Sequence, residues 1–86
     1  MNIAFSSEFN KKYKKLSRKF QSKFDEKVCI FEKDEFDSTL NNHRLHGEYV
    51  DHRSINITGN IRAIYKIVSK DNYYFINIGT HSELYE

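Results

Sequence analysis

The side chains of this chain best suited to move a proton or hold an anion are histidines and one arginine. The histidines are His43, His46, His52 and His81, all in the second half. An imidazole titrates near neutrality, so one can take up a proton while another gives one away. Arg62 lies in the run Ile61-Arg62-Ala63-Ile64-Tyr65-Lys66-Ile67-Val68. An arginine on a sheet face needs an anionic partner, and its planar fork fits phosphate in shape and charge. A neighbouring carboxylate, Asp51 or Glu83, would also serve, and the residues alone leave both partners open. His81 follows Gly79-Thr80 at the end of a strand-like run. It could project into a cleft or lie in an exposed tail. His43 follows Asn41-Asn42 and reads either as a site residue or as a loop histidine, whereas His52 reads as a surface residue without a role.

Other chemistries have weaker support. His43 and His46 have the spacing of two zinc ligands on a helix, but the remaining donors are Cys29, His81 and distant carboxylates. There is no CxxC or HExxH, so neither a metal nor another cofactor is expected. Cys29 lies beside Val28 and Phe31 and reads as a packed small hydrophobe. No glycine-rich phosphate loop is present. The basic run Lys11, Lys12, Lys14, Lys15, Arg18 and Lys19 could meet a nucleic-acid backbone or be the solvated face of a helix. Tyr49, Tyr73, Tyr74 and Phe75 could stack on bases, although aromatic residues on strands more often fill a core.

The elements that must position these groups follow from periodicity. Phe9, Tyr13, Leu16 and Phe20 step by helical intervals, with Ser6 or Ser7 able to cap the start. Phe24, Val28 and Phe31 continue the pattern, and Ser17 can cap a second helix. The spacing predicts helices over roughly 6–17 and 18–34, packed as a hairpin. Asp34 to Asn42 reads as a loop anchored by Phe36 and Leu40. Beyond Gly47 the period changes to two. Strands are predicted at Arg53–Ile57, Ile61–Val68 and Tyr73–Ile78, with Asn2–Phe5 as a short edge strand. Ile61, Ala63, Tyr65 and Ile67 should face the helices, and Arg62, Ile64, Lys66 and Val68 the other side. With no proline and glycines at positions 47, 59 and 79 alone, the turns must use Asn, Asp and Ser. The expected class is α+β: a small antiparallel sheet with an N-terminal helical hairpin on one face and the other face free.

The chain has 86 residues, 38% hydrophobic and 15% aromatic, with a formal net charge of +2. One domain over residues 1–86 is expected. The charge excludes a polycationic tail, the aromatic content argues against wholesale disorder, and no apolar run is long enough to span a membrane. Cys29 is the only cysteine, so it has no internal disulfide partner. With no leader-like pattern at the start, a cytoplasmic location is expected.

Taken together, these stretches resemble the RelE/ParE superfamily of type II toxins, in particular the RelE-like and YafQ-like mRNA interferases. The resemblance covers nearly the whole chain. It rests on Phe9-x-x-x-Tyr13-x-x-Leu16, Phe36-Asp37, Leu40-Asn41-Asn42-His43-Arg44-Leu45-His46-Gly47, Arg53-Ser54-Ile55-Asn56-Ile57, Gly59-Asn60-Ile61-Arg62-Ala63-Ile64-Tyr65 and Ile78-Gly79-Thr80-His81-Ser82-Glu83-Leu84-Tyr85. The resemblance implies an endoribonuclease that cleaves mRNA, usually on the ribosome, and is inhibited by a cognate antitoxin. It implies His43, Arg62, His81 and Tyr85 as catalytic residues; Lys66, Arg53 and Asn56 are expected to bind substrate. Asn56 stands where some YafQ-like toxins carry another histidine, and Asn60 where an aspartate is common. The rival reading is a ParE-like toxin that binds DNA gyrase and has no nuclease activity.

Overall fold

In a computed structural model, which describes residues 1–85, the chain begins with strand β1 (Asn2–Phe5) and helices α1 (Ser7–Lys15) and α2 (Arg18–Lys33). A two-residue strand β2 (His43–Arg44) is followed by β3 (Arg53–Asn56), β4 (Ile61–Ser69), β5 (Asn72–Thr80) and a terminal helix α3 (His81–Tyr85). Both hairpin helices start at serine caps. The Ser6 hydroxyl accepts from the Phe9 amide at 2.9 Å, and the Ser17 hydroxyl from the Phe20 amide at 3.3 Å. Ser6, and not Ser7, is the first cap.

The strands form one sheet in the order β1-β5-β4-β3-β2. It is mixed, not wholly antiparallel as expected, because β1 pairs with β5 in parallel while the other pairings are antiparallel. The helical hairpin lies between β1 and the rest of the sheet in sequence and supplies the crossover that a parallel pair needs. Asn41, Asp51 and Asp71 take positive φ, as turns short of glycine require.

The main core lies between the hairpin and the sheet. Phe9, Phe24 and Phe31 from the helices meet Ile55, Ile61, Ala63, Tyr65, Phe75 and Ile78 from the strands. Phe31 is fully buried and edge-on to Tyr65 at 4.9 Å and to Phe75 at 5.4 Å. Such geometry adds to the area each ring buries. Tyr13 ties the two helices together by donating to Asp25 Oδ1 at 2.9 Å, and burial raises its phenol pKa, with the Asp25 contact adding to the effect.

Several expectations change. Ile67 shares its parity with Tyr65 but is 51% exposed, beyond the reach of the helices. Leu40 anchors its loop, whereas Phe36 is 60% exposed. Cys29 is exposed and not packed. It follows Val28 directly, and a single step turns about 100° around a helix. The second sheet face is not free either. Leu45 and Leu84 cover Ile64 there, joined by Tyr49, Ile76 and Tyr85. A bulge brings Ile76 to this cluster, because Ile64 pairs with Asn77 while Tyr65 pairs with Phe75. None of the described helices is long and apolar enough to cross a membrane.

Because Phe31 sits where helix α2 meets both central strands, Phe31→Ala should cost about 3–5 kcal/mol. Urea denaturation followed by circular dichroism measures this, and a midpoint equal to that of wild type would contradict the packing described.

Candidate active site

Period-two alternation puts Arg62 and Ile64 on the face opposite Tyr65 and Ala63. Strand β3 follows the same rule in register, with Asn56 opposite Arg62 and Ser54 opposite Ile64. His43 pairs with Ser54 on its other side, which makes a row of His43, Ser54 and Ile64 next to the row of Asn56 and Arg62. Gly79 completes the second row opposite Arg62. Over these rows lies an open cavity of about 240 Å³, lined by His43, Arg44, Leu45, His46, Arg62, His81 and Tyr85. The cavity therefore gathers His43, Arg62, His81 and Tyr85 from widely separated parts of the sequence.

Each of these residues has a local means of positioning. The His43 Nδ1 lies 2.9 Å from the Asn41 carbonyl oxygen. A carbonyl can only accept, so Nδ1 carries the hydrogen and Nε2 of the neutral ring is left with its lone pair. Asn41 reaches back in this way by adopting the left-handed conformation, with φ 47° and ψ 48°. His81 opens α3, and its ring lies 4.7 Å from that of Tyr85, one turn later. Helix α3 begins with a reciprocal capping pair. The Thr80 amide donates to Glu83 Oε1 at 2.8 Å and the Glu83 amide donates to Thr80 Oγ1 at 3.2 Å. Gly79 makes room for this pair, since a Cβ there would lie 3.1 Å from Glu83 Oε1.

Arg62 has no carboxylate partner among the described residues. The ion pairs among the described residues join Met1 to Asp71, Lys12 to Glu8 and Lys23 to Glu26. Neither Asp51 nor Glu83 neutralises the guanidinium. Its Nε is buried without a hydrogen-bond partner among the described residues, as are Ser54 Oγ, Asn56 Oδ1 and Tyr85 Oη. Buried polar groups are normally paired, and these orphans gather on the sheet rows and helix that form the cavity. Of these, the Arg62 Nε–H can donate to an anion, whereas Asn56 Oδ1 can only accept a hydrogen bond.

The other expected residues lie elsewhere. Asn56 stands beside Arg62 in register and also borders a separate depression with Lys23, Lys27 and Thr39. Lys66 shares the face of Arg62 but pairs with Tyr74, four residues along β4, which is about 13 Å of strand. Arg53 faces the opposite side. Its guanidinium stacks over Phe36 at 5.1 Å, and its Nε donates to Asn42 Oδ1 at 2.7 Å.

That bond belongs to a network that the sequence did not announce. Asn42 Nδ2 donates to Tyr65 Oη at 2.7 Å and to the Glu35 carbonyl oxygen at 3.0 Å. The Tyr65 hydroxyl donates to Glu35 Oε2 at 2.5 Å, and Tyr73 donates to Oε1 at 3.2 Å. Burial, and then the Glu35 hydrogen bond, raise the Tyr65 phenol far above its ordinary pKa. The network holds Asn42, and so the backbone that presents His43. The Thr80-x-x-Glu83 spacing was the one available signal for α3.

Solved structures share this architecture. YafQ of E. coli strain BL21(DE3) is 18% identical, with 99% of this chain and 98% of that chain covered and a TM-score of 0.83. A YoeB/ParE toxin from Agrobacterium tumefaciens is 16% identical over 94% of this chain and 99% of its own, with a TM-score of 0.79. YafQ in the E. coli DinJ–YafQ toxin–antitoxin complex is 19% identical over 99% of this chain and 97% of that chain, with a TM-score of 0.80. No curated protein matches the sequence. The fold is thus that of the small α+β bacterial toxins. A family model described as the bacterial toxin YafQ of type II toxin–antitoxin systems matches residues 1–86, and the chain belongs to that family.

Hydrogen bonds to Thr80 lower the Glu83 carboxyl pKa below its ordinary 4.5. A lowered folded value means that the stabilisation is present above about pH 4.5 and is lost as pH falls through the folded value. Amide exchange in α3 should therefore rise on acidification before the sheet opens. Glu83→Gln should flatten that response, and an identical acid profile in the variant would refute the capping pair.

Proposed function

We propose that the protein is a ribosome-associated mRNA endoribonuclease, built as a single toxin domain over residues 1–86. The observation that carries this reading is the convergence of His43, Arg62, His81 and Tyr85 on one cavity in which Arg62 has no counter-ion among the described residues. RNA brings its own nucleophile, the 2′-hydroxyl. Nε2 of His43 takes the proton from that hydroxyl as its oxygen attacks phosphorus. Arg62 stabilises the negative charge of the pentacoordinate phosphate. The P–O5′ bond breaks, and His81 gives a proton to the leaving oxygen, which yields a 2′,3′-cyclic phosphate and a 5′-hydroxyl. The Tyr85 ring packs against His81 and offers a face on which a base can stack. Asn56 assists beside Arg62, and Lys66 meets the RNA backbone further along the sheet face. Arg53 acts from behind, through Asn42, and its substrate contact would require it to leave Phe36.

The E. coli structure with DinJ motivates a second element of the reading, a cognate antitoxin that inhibits this chain. Both partners, mRNA and antitoxin, belong in the cytoplasm. A gyrase-binding toxin is the alternative. It has no use for a base, an acid and an unneutralised arginine within one cavity.

Removing a donor to the developing charge typically costs about 3–4 kcal/mol. Arg62→Ala should then slow RNA cleavage some hundredfold or more, with His81→Ala also impaired and both variants folded. Mapping of cleavage ends after expression tests this. Undiminished cleavage in either variant, or DNA damage in place of mRNA loss, would sink the proposal.

A further inference from the structure

A second cavity adjoins the first across Tyr85. Its volume is about 320 Å³ and it is lined by His46, Glu48, Tyr49, Leu84 and Tyr85. That size is at the small end of ligand sites, about 300–1,000 Å³. His46 and Tyr85 line both cavities. Aromatic rings run from one to the other. Tyr85 lies 4.7 Å from His81 and 6.2 Å from Tyr49, edge-to-face at 86°, and Tyr49 is 5.8 Å from His52. The turn Gly47–Tyr49 that carries Glu48 and Tyr49 depends on Gly47, whose φ is +67°.

The chemistry of the lining differs from that of the first cavity. Glu48 is exposed and makes no ion pair or side-chain hydrogen bond among the described residues. A carboxylate repels phosphate, so this wall does not suit the RNA backbone. It accepts N–H donors, and the neighbouring tyrosine rings offer π faces. Tyr85, which lines both cavities, also carries a buried hydroxyl without a partner among the described residues. We propose that the second cavity is a nucleobase subsite. In this assignment the Tyr49 ring stacks on one base next to the scissile phosphate, Tyr85, which stands edge-to-face to Tyr49, closes the end of the subsite, and Glu48 reads the Watson–Crick edge of the base. The proposal rests on the ribonuclease reading above for the identity of the ligand as RNA.

Guanine is the base this subsite favours. Its N1–H and N2–H groups lie side by side and match the two oxygens of a carboxylate. Adenine and cytosine offer one amino group each. The N–H of uracil is flanked by two carbonyl oxygens that would face the Glu48 charge. Tyr49 is blind to base identity, because every base has a π face.

The test uses labelled 2′-deoxyuridine pentanucleotides, which lack the nucleophile, with one position replaced in turn by guanine, adenine or cytosine. Fluorescence anisotropy should show the best guanine-containing member binding wild type about tenfold more tightly than the all-uracil one. Glu48→Gln should bring that ratio below about threefold. Tyr49→Leu should weaken all members by roughly tenfold and keep the ratio. Equal wild-type affinity for all members, or an unchanged ratio in Glu48→Gln, overturns the subsite. RNA cleavage by the same proteins separates the two ideas. Cleavage with a flat affinity ratio removes the subsite and leaves the nuclease. A Glu48-dependent ratio without cleavage removes the nuclease and leaves a base-binding site. Thermal melts confirm that each variant is folded.

Discussion

Strand β4 is paired on both edges and covered on both faces, so its residues must satisfy two environments at once. Ile61, Ala63 and Tyr65 meet the helical hairpin, and Ile64 meets a smaller cluster beneath Leu45 and Leu84. Arg62 lies between them on the second face and lines the cleft. Because side chains alternate along a strand, the packing that fixes Tyr65 also fixes the direction of Arg62. A slip of one residue would bury the guanidinium beneath the helices and expose the core residues to the cleft. The hydrophobic core thus sets the register of the site, and no local loop geometry is needed to aim the arginine.

The cleft itself comes from an incomplete cover. Helix α3 reaches back over the sheet and seats Leu84 on Ile64, which turns a flat surface into a walled one. The same helix presents His81 and Tyr85 to the cavity. Its stability comes from the Thr80–Glu83 pair and one buried leucine. A short helix held by few contacts is among the elements that open most readily. Facing it, Asn42, the neighbour of His43, is held by the Glu35–Tyr65–Asn42 network on the far side of the sheet.

Ser54, Asn56, Arg62 and Tyr85 each leave a buried polar atom without a partner among the described residues. An unsatisfied group typically costs about 1–3 kcal/mol. A protein built only for stability would replace such groups, and violations of this kind gather where function requires them.

Much of the architecture was legible from local patterns. The serine caps, the helical spacing of Phe9, Phe24 and Phe31 and the alternation at 61–66 are short-range features, and short-range physics decides them. His43, Arg62 and His81 were recognisable as candidates by residue type. The parallel pairing of β1 depended on where the hairpin delivers the chain, which no local pattern encodes. Arg53 is the instructive case. Its charge suggested a substrate contact, but its parity with Tyr65 placed it on the far face, bound to Asn42. Helix α3 and the groove beyond Tyr85 arose only when Leu84 found Ile64, a contact between distant residues. The amino-acid sequence by itself determined the elements and the chemically capable residues, because those depend on neighbours along the chain. Only the tertiary structure decided which of them share a cavity, because burial, register and the covering of a sheet face depend on residues far apart in sequence.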